Sequence, residues 1–544
     1  MRQAGTLFAF LLIFAYTAHS QSTAMRVYQI LQEKCVQCHN NADPEAGLDL
    51  QGSGANEALR ALQVYNNLVN VTPTNAAAAA KGDAYIYPGR ADRSFLFRKI
   101  NQGLEPLLGL DAAENQPMPP YGQPSLTAVE KELLRQWILF GAPPEGEVVS
   151  EAILEGYYSG NAIQSFPDGA PEAPDEASGF QIKMGPFYLA PTDEVEYFQK
   201  YELDLPEDVE VTRLDIQIGT YSHHMIVYDF DNGGSSNIPP GLRLDANHAN
   251  IGLVAAVQEP TDLRLPQGSA FIWDNQLVLD LNAHYINYSA TLNYQAEVYV
   301  NVYTQPAGTA AQEMHTDLIS NFNIYIPNNG DLITHEQHVN YNAGDVYLWG
   351  VMGHTHQYGT GYKVYERLPG GVRGELIYDA SCAMGIPGCV SPFFDYQHIP
   401  MRYFEPLHPL SITPAYGFIH EASWINDGPV PVNFGPTSDD EMMVMIVMYT
   451  RGLEGIVDTE EAPTQASDYQ VYPNPSSGQL IIEYPFTSTP MQIHLMDASG
   501  QPVFTANCTG TRTPLDLSAL PGGLYFYKLT DASGAGKSGK IILR

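Results

Sequence analysis

Two imidazoles spaced two residues apart, His354-Thr355-His356, are the part of this sequence best suited to chemistry. In an extended strand, residues i and i+2 share a face, so Thr355 turns away while both rings can close on one ion. Imidazole with thioether suits copper, the soft sulfur favouring the cuprous state, and Met442 is the candidate thioether from a later strand. A second set, His223-His224 with His284, offers three imidazoles. Adjacent strand residues point to opposite faces, so one of the pair must sit at a bulge or use its other ring nitrogen. Near the front, Cys35-Val36-Gln37-Cys38-His39 has the spacing for covalent haem attachment: two thiols add to the haem vinyls and the adjacent His is an axial iron ligand. A zinc or redox Cys pair competes, and the immediately following His argues against it.

These residues sit in a chain of 544 residues, long enough for three or four domains, with 44% apolar and 16% charged residues. A formal charge of −35 excludes nucleic acid and anionic membranes as partners. Arg2, the apolar run from Leu7 to Ala15 and Ala18-His19-Ser20 read as a secretory signal over residues 1–20. That run is too short to span a bilayer, and no later stretch is long and apolar enough, so no transmembrane segment is expected after signal removal. Of five cysteines, Cys382 and Cys389 are close enough to bridge and Cys508 is left over, in keeping with an oxidising compartment.

The elements that must position the candidates fall into blocks. Residues 24–143 carry helical periodicity, ending in a helix that starts at Thr127 with a Thr127/Glu130 capping box and stops at Gly141 and Pro143. They are expected to form an all-α domain. Residues 144–179, rich in Pro, Gly, Glu and Asp, read as a linker. Short alternating runs rich in Val, Ile, Leu and Tyr then predict two antiparallel, jelly-roll-like β-sandwiches, 180–315 and 316–455. A second linker, 456–468, leads to a small C-terminal β-sandwich, 469–544. The fold class expected is thus multidomain, all-α followed by three β-sandwiches.

Three resemblances sharpen this. Residues 24–143, through Cys35-x-x-Cys38-His39, Gln116-Pro117-Met118-Pro119-Pro120 and the last helix with Leu133, Trp137 and Ile138, resemble class I cytochrome c domains. That implies haem c held by Cys35 and Cys38 and ligated by His39 and Met118, an electron carrier with no open iron position. Residues 180–455 resemble the copper type II, ascorbate-dependent monooxygenases, the family of peptidylglycine α-hydroxylating monooxygenase and dopamine β-monooxygenase. The match rests on Ser222-His223-His224-Met225, Ala283-His284-Tyr285, Gly353-His354-Thr355-His356 and Asp440-Glu441-Met442, in the family's order. It implies two copper ions: an electron-transfer copper on His223, His224 and His284, and a catalytic copper on His354, His356 and Met442 where O2 and substrate meet. The peptide-amidating members carry an Arg where Met352 stands, and an Asn and a Tyr where Val444 and Ile446 stand, so a peptidyl-glycine substrate is not implied. The family's multiple disulfides are also missing. Residues 469–544 resemble the C-terminal sorting domain of the type IX secretion system, through Tyr472-Pro473-Asn474-Pro475, Leu517 to Tyr525 and Lys540 to Arg544.

The expectation is a secreted or cell-surface copper monooxygenase, exported through the periplasm of a Gram-negative bacterium by the type IX machinery. It would hydroxylate an activated C–H bond of a small organic or peptide-like substrate with O2, an external donor supplying electrons through haem c. The rival is a haem and copper electron-transfer or copper-binding protein that does not hydroxylate. A surface binding module would leave the six metal-type residues unexplained. His335 and His338 fall short of the HExxH zinc spacing, and His248, His315, His398, His408 and His420 read as loop or core residues.

Overall fold

The computed structural model describes residues 21–160, 162–230, 234–248, 251–257, 259–382, 387–396, 400–435, 440–456, 470–483, 491–497, 501–508, 512–530 and 536–544. The expected signal sequence, all but the first residue of the second linker, and His398 lie outside them. The chain divides into two units, one running through Ala162 together with Pro239–Arg243, the other comprising Ile163–Ile238 and Leu244–Arg544.

The first unit corrects the expected fold class: no all-α domain forms over 24–143. The helices Thr23–Lys34, Glu57–Leu68, Ala76–Ala80, Phe95–Ile100 and Ala128–Leu139 are short, and fewer than half of those residues lie in them. The rest is turns, loops, two 3-10 turns and the isolated β-bridges His39–Pro44, Val69–Ile86 and Ala84–Ser94. Periodicity marked where helix starts but not how soon it stops. Pro44, Gly52, Pro73, Gly103, Pro106 and Pro119 interrupt every run before it lengthens, and each Gly or Pro inside a helix costs about 1 to 3 kcal/mol. The capping box does form: Glu130 N–H donates to Thr127 Oγ1 at 3.1 Å and Thr127 N–H to Glu130 Oε2 at 2.7 Å. That helix buries Leu133, Leu134, Trp137 and Ile138, and Val27, Ile30 and Leu31 of the first helix are buried likewise. The stretch expected as a linker, 144–179, holds the helix Glu151–Tyr158 and the strand Ala162–Gln164.

Mainly antiparallel sheet makes up the second unit, and strands dominate the regular structure of the described residues. In its first part, Gly179–Leu189, Asn293–Pro306 and Val209–Ile218 lie side by side in one sheet, and Glu194–Glu202, Val278–Ile286, Ser222–Phe230 and Ile251–Val257 in another. Phe187, Tyr285 and Tyr294 are fully buried, with ring centroids of Phe187 and Tyr285 5.4 Å apart in an edge-to-face contact. The chain then leaves for the next pair of sheets: Gln312–Glu313 pairs with Ser269–Trp273, and His315–Ser320 pairs with Val444–Thr450. Here one sheet runs His315–Ser320, Val444–Thr450, Gly344–His354, Arg402–Ile412, and the other Leu332–Val339, Gly417–Ile425, Gly359–Leu368, Val372–Asp379. Trp424, Tyr362, Tyr378 and Phe418 fill the core. Cys382 and Cys389 form a disulfide with Cα atoms 5.8 Å apart. The tail has two sheets of its own around Leu480, Ile482, Ile493, Leu495 and Ile541. Among the described residues no helix is long and apolar enough to cross a membrane.

Candidate metal centres

Strand register builds the three-histidine set. His284 lies directly opposite His224 on one neighbouring strand and opposite Glu196 on the other, so Glu196, His284 and His224 form one row on one face. The register then slips, Tyr285 pairing with Ser222, which leaves His223 as the extra residue of a β-bulge. Of the two arrangements open to adjacent histidines, this chain shows the bulge, which turns His223 to the side of its neighbour. One nitrogen of each ring lies within 4.8 Å of the others. The ring centroids are 4.8 to 5.5 Å apart, and His223 Nδ1 is 3.3 Å from His224 Nδ1.

The outer nitrogens are held from behind. His224 Nε2 reaches Glu196 Oε1 at 3.2 Å and Asn282 Oδ1 at 3.1 Å, and His284 Nε2 reaches Glu194 Oε1 at 2.8 Å. Carboxylates at one ring nitrogen fix the tautomer and leave the other nitrogen for a cation. Burial raises the Glu196 carboxyl, but the His224 hydrogen bond and charge outweigh it and hold the group down at about 2. Burial, with repulsion from His224, pushes the His284 imidazole below its usual value, toward the neutral form that ligates metals.

The second set starts at a strand end. Met352 and His354 face outward from Gly344–His354, while Val351 and Gly353 face the core. Gly353 has no room for a side chain, since a Cβ there would stand 2.2 Å from the Tyr362 ring. Thr355 is fully buried and turned inward, and His354 and His356 have ring centroids 5.2 Å apart. His354 pairs with Val444, and carrying that register two residues on sets 356 beside 442. Met443, Met445 and Met448 are buried in the core, whereas Met442 is partly exposed and lines the cleft that His354 and His356 also line. Burial, then repulsion from His356 and His224, pushes His354 down to about 3.

Glu441, which stands in the Asp440-Glu441-Met442 motif without an assigned role, organises this end. Fully buried, it accepts from His356 N at 2.8 Å, Tyr358 N at 2.7 Å, Trp424 Nε1 at 2.8 Å and Met442 N at 3.2 Å. Burial raises its pKa, and the donors from His356, Tyr358 and Trp424 oppose that rise. Both histidine sets and Met442 line one cleft of about 3240 Å³. Tail residues Tyr472, Pro473 and Lys540 line it too, with Lys540 Nζ donating to Gly219 O at 3.2 Å and the Tyr472 ring 5.0 Å from Phe393. Sequence spacing carried no signal for this convergence, nor for His248, which lines the same cleft with Nδ1 2.8 Å from Asp280 Oδ2.

The other histidines have local partners. His335 Nε2 lies against the Tyr325 backbone, 3.3 Å from its N and 3.1 Å from its O, His338 is 2.7 Å from Glu336, and His315 stacks beside Tyr449. His420 is fully buried between Tyr362 Oη at 2.6 Å and Gln337 Oε1 at 2.7 Å.

In the first unit, Cys35, Cys38 and His39 form one turn at the end of the first helix: Cys38 N and His39 N both donate to Cys35 O. The two thiols are unbridged, and burial pushes Cys35 up to about 11. His39 Nδ1 donates to Glu45 O at 3.1 Å, which leaves Nε2 for an iron. Met118 is partly buried in a loop pinned to the helix Phe95–Ile100, through Met118 N to Lys99 O at 2.7 Å and Lys99 Nζ to Gln116 O at 2.8 Å. Arg98 clamps the same loop bidentately through Glu114, at 2.7 Å to each oxygen, and holds that carboxyl down at about 2.

Residues 470–544 match the family model described as a secretion system C-terminal sorting domain. The chain matches no curated protein. Among solved structures it is similar to a DUF3244 family protein of Bacteroides vulgatus with an immunoglobulin-like β-sandwich fold, at 15% identity, covering 14% of this chain and 84% of that one, TM-score 0.13. It is also similar to the β-glucuronidase of Ruminococcus gnavus, at 11% identity over 61% of this chain and 45% of that one, TM-score 0.14. A third is the β-glucuronidase of Lactobacillus rhamnosus, at 11% identity over 39% and 35%, TM-score 0.12. The chain spans less than half of either glucuronidase. By its tail, the protein is a cargo of the type IX secretion system, secreted or displayed at the surface of a Gram-negative bacterium.

Proposed function

We propose that the protein is a copper-dependent monooxygenase that hydroxylates an activated C–H bond of an organic substrate, with electrons entering through haem c. The observation that carries this reading is the pair of ligand sets on one cleft: three imidazoles within 4.8 Å on one side, and two imidazoles with an adjoining thioether on the other. The donor types fit copper, the all-nitrogen set serving both oxidation states and the thioether set favouring Cu(I). Copper held there would supply single-electron transfer from one set, and from the other the activation of O2 that places one oxygen atom in the substrate and one in water.

The protein's own residues prepare both sets. Glu196, Asn282 and Glu194 fix the outer ring nitrogens, so the inner ones need no reorientation to bind. Glu441 holds the backbone of His356 and Met442 by hydrogen bonds, so the two candidate ligands move together. Met442 packs, with Met352 and Met401, against the buried Leu253, Val444 and Ile446, which gives that side of the set an apolar backing. An apolar Met352 favours a substrate whose group at that point carries no carboxylate.

For haem, Cys35 and Cys38 as thiols and His39 with a free Nε2 fit covalent attachment and axial ligation, and Met118 is the sixth-ligand candidate. Single electrons from an external donor would enter there. The test is turnover under labelled oxygen with a panel of small hydroxylatable compounds, analysed by mass spectrometry. One labelled oxygen atom in a product, lost in Met442→Ala, supports the reading. Copper at both sets with no oxygen transfer to any compound would favour the electron-transfer reading, and binding of zinc alone would remove both.

A further inference from the structure

We propose a third metal site, unrelated to the cleft: Glu366, Glu375 and His408 bind a divalent cation of zinc type at the edge of the sandwich formed by residues 316–455. One carboxylate oxygen from each Glu and a ring nitrogen of His408 lie within 4.8 Å of one another. His408 Nε2 is 3.3 Å from Glu366 Oε1. The three come from three strands of two sheets: Glu366 from Gly359–Leu368 and Glu375 from Val372–Asp379 in one, His408 from Arg402–Ile412 in the other. A cation bound by all three would tie the sheets together at an open edge.

Two bulges aim these side chains. Tyr365 pairs with Leu376 and Arg367 with Arg373, so Glu366 stands opposite two residues, Gly374 and Glu375. The extra residue turns Glu375 toward Glu366 instead of letting the pleat send it away. Gly374 makes room for this, because a Cβ there would stand 3.1 Å from Glu366 Cβ and 3.3 Å from Glu366 Oε2. On the facing sheet, Leu348 pairs with His408 but Gly350 with Tyr403, a larger bulge that begins at the histidine. The Phe404 ring, 5.2 Å away, backs the imidazole. The same device sets His223 in the cleft.

Charge balance calls for a cation here. Two carboxylates converge, and the Arg402 guanidinium, which interacts electrostatically with Glu375, is committed to stacking on Phe404 and to the Ile377 carbonyl, with no hydrogen bond to either carboxylate. One imidazole with two carboxylates and no sulfur suits Zn2+ rather than Cu(I), with water completing the coordination. Its service is structural, holding an edge that a single short disulfide, Cys382–Cys389, leaves open.

The experiment is Zn2+ titration of the full-length chain carrying His223→Ala and His354→Ala, which disables both sets in the cleft, followed by calorimetry and by cobalt spectroscopy with Co2+ in place of zinc. One equivalent is expected, with the visible bands of nitrogen and oxygen ligation. Adding Glu375→Gln, an exposed position that should not affect folding, should abolish that equivalent, and with it the zinc-induced rise in unfolding temperature. Adding His408→Gln should do the same. Unchanged binding in the Glu375→Gln chain overturns the proposal. So does the absence of any zinc binding in a chain that keeps Glu366, Glu375 and His408 and melts like the wild type.

Discussion

Replacing Glu441 by Gln separates the role of a buried charge from the shape around it. Three donors, His356 N, Trp424 Nε1 and Met442 N, converge on Oε2, and one, Tyr358 N, on Oε1. A glutamine can keep its oxygen toward the three. Its amide nitrogen then faces the Tyr358 N–H, losing one charge-assisted hydrogen bond and weakening the other three. Hydrogen bonds to charged groups are worth about 1.5 to 3 kcal/mol, so the loss should be roughly 2 to 4 kcal/mol, local to the loop after His354. Glutamic acid to alanine would orphan all four donors and exceed about 4 kcal/mol, the range in which folding itself is at risk, so Gln is the informative change. The assay is amide hydrogen exchange read by mass spectrometry on peptides covering 354–360. At 1.4 kcal/mol per factor of ten, exchange there should quicken by roughly 30- to 700-fold, with protection of the strand Ser222–Phe230 unchanged. Copper affinity of the His354, His356, Met442 set should fall in the same variant, while that of the three-histidine set holds. Exchange at 356–358 within a factor of two of the wild type would refute the reasoning that Glu441 positions this segment.

Glu196→Gln removes the carboxylate behind His224, and copper affinity at the three-histidine set should drop about 10- to 100-fold in a competition titration with a copper chelator, with the other set unaffected. His420 is buried neutral, and burial pushes it down to about 4. Its folded pKa is thus depressed, so the unfolded chain takes up the proton first as pH falls. The stability it contributes is complete above about 6.5 and is lost between there and about 4, worth about 3 kcal/mol, readable as the pH dependence of urea unfolding and absent in His420→Phe. Cys35→Ala with Cys38→Ala should leave haem extractable by acidified solvent from protein made with a haem-maturation system, whereas the wild type retains it.

What the chain alone determined is local. The two-residue alternation of extended chain, carried just past the strand end at His354, sets His354 and His356 near each other with Thr355 turned inward, and the Thr127/Glu130 box follows from helix capping, the Cys35 to His39 turn from contiguous residues, and the sorting tail from motifs within 75 residues. The all-α expectation for 24–143 failed because periodicity reports helix starts, while the frequency of Gly and Pro decides how much chain stays outside helix. Adjacency of His223 and His224 left a bulge or the use of the other ring nitrogen open, and only the pairing with Val278–Ile286 decided for the bulge. Tertiary structure alone decided the rest. Glu196 stands behind His224 because both their strands pair with Val278–Ile286, where His284 lies opposite each of them, Glu441 meets Trp424 and His356 across a core, and Glu366, Glu375 and His408 converge from two sheets. Most of these partners lie on separate strands well apart in sequence, and register between distant strands is set by burial of whole faces, which no short motif records.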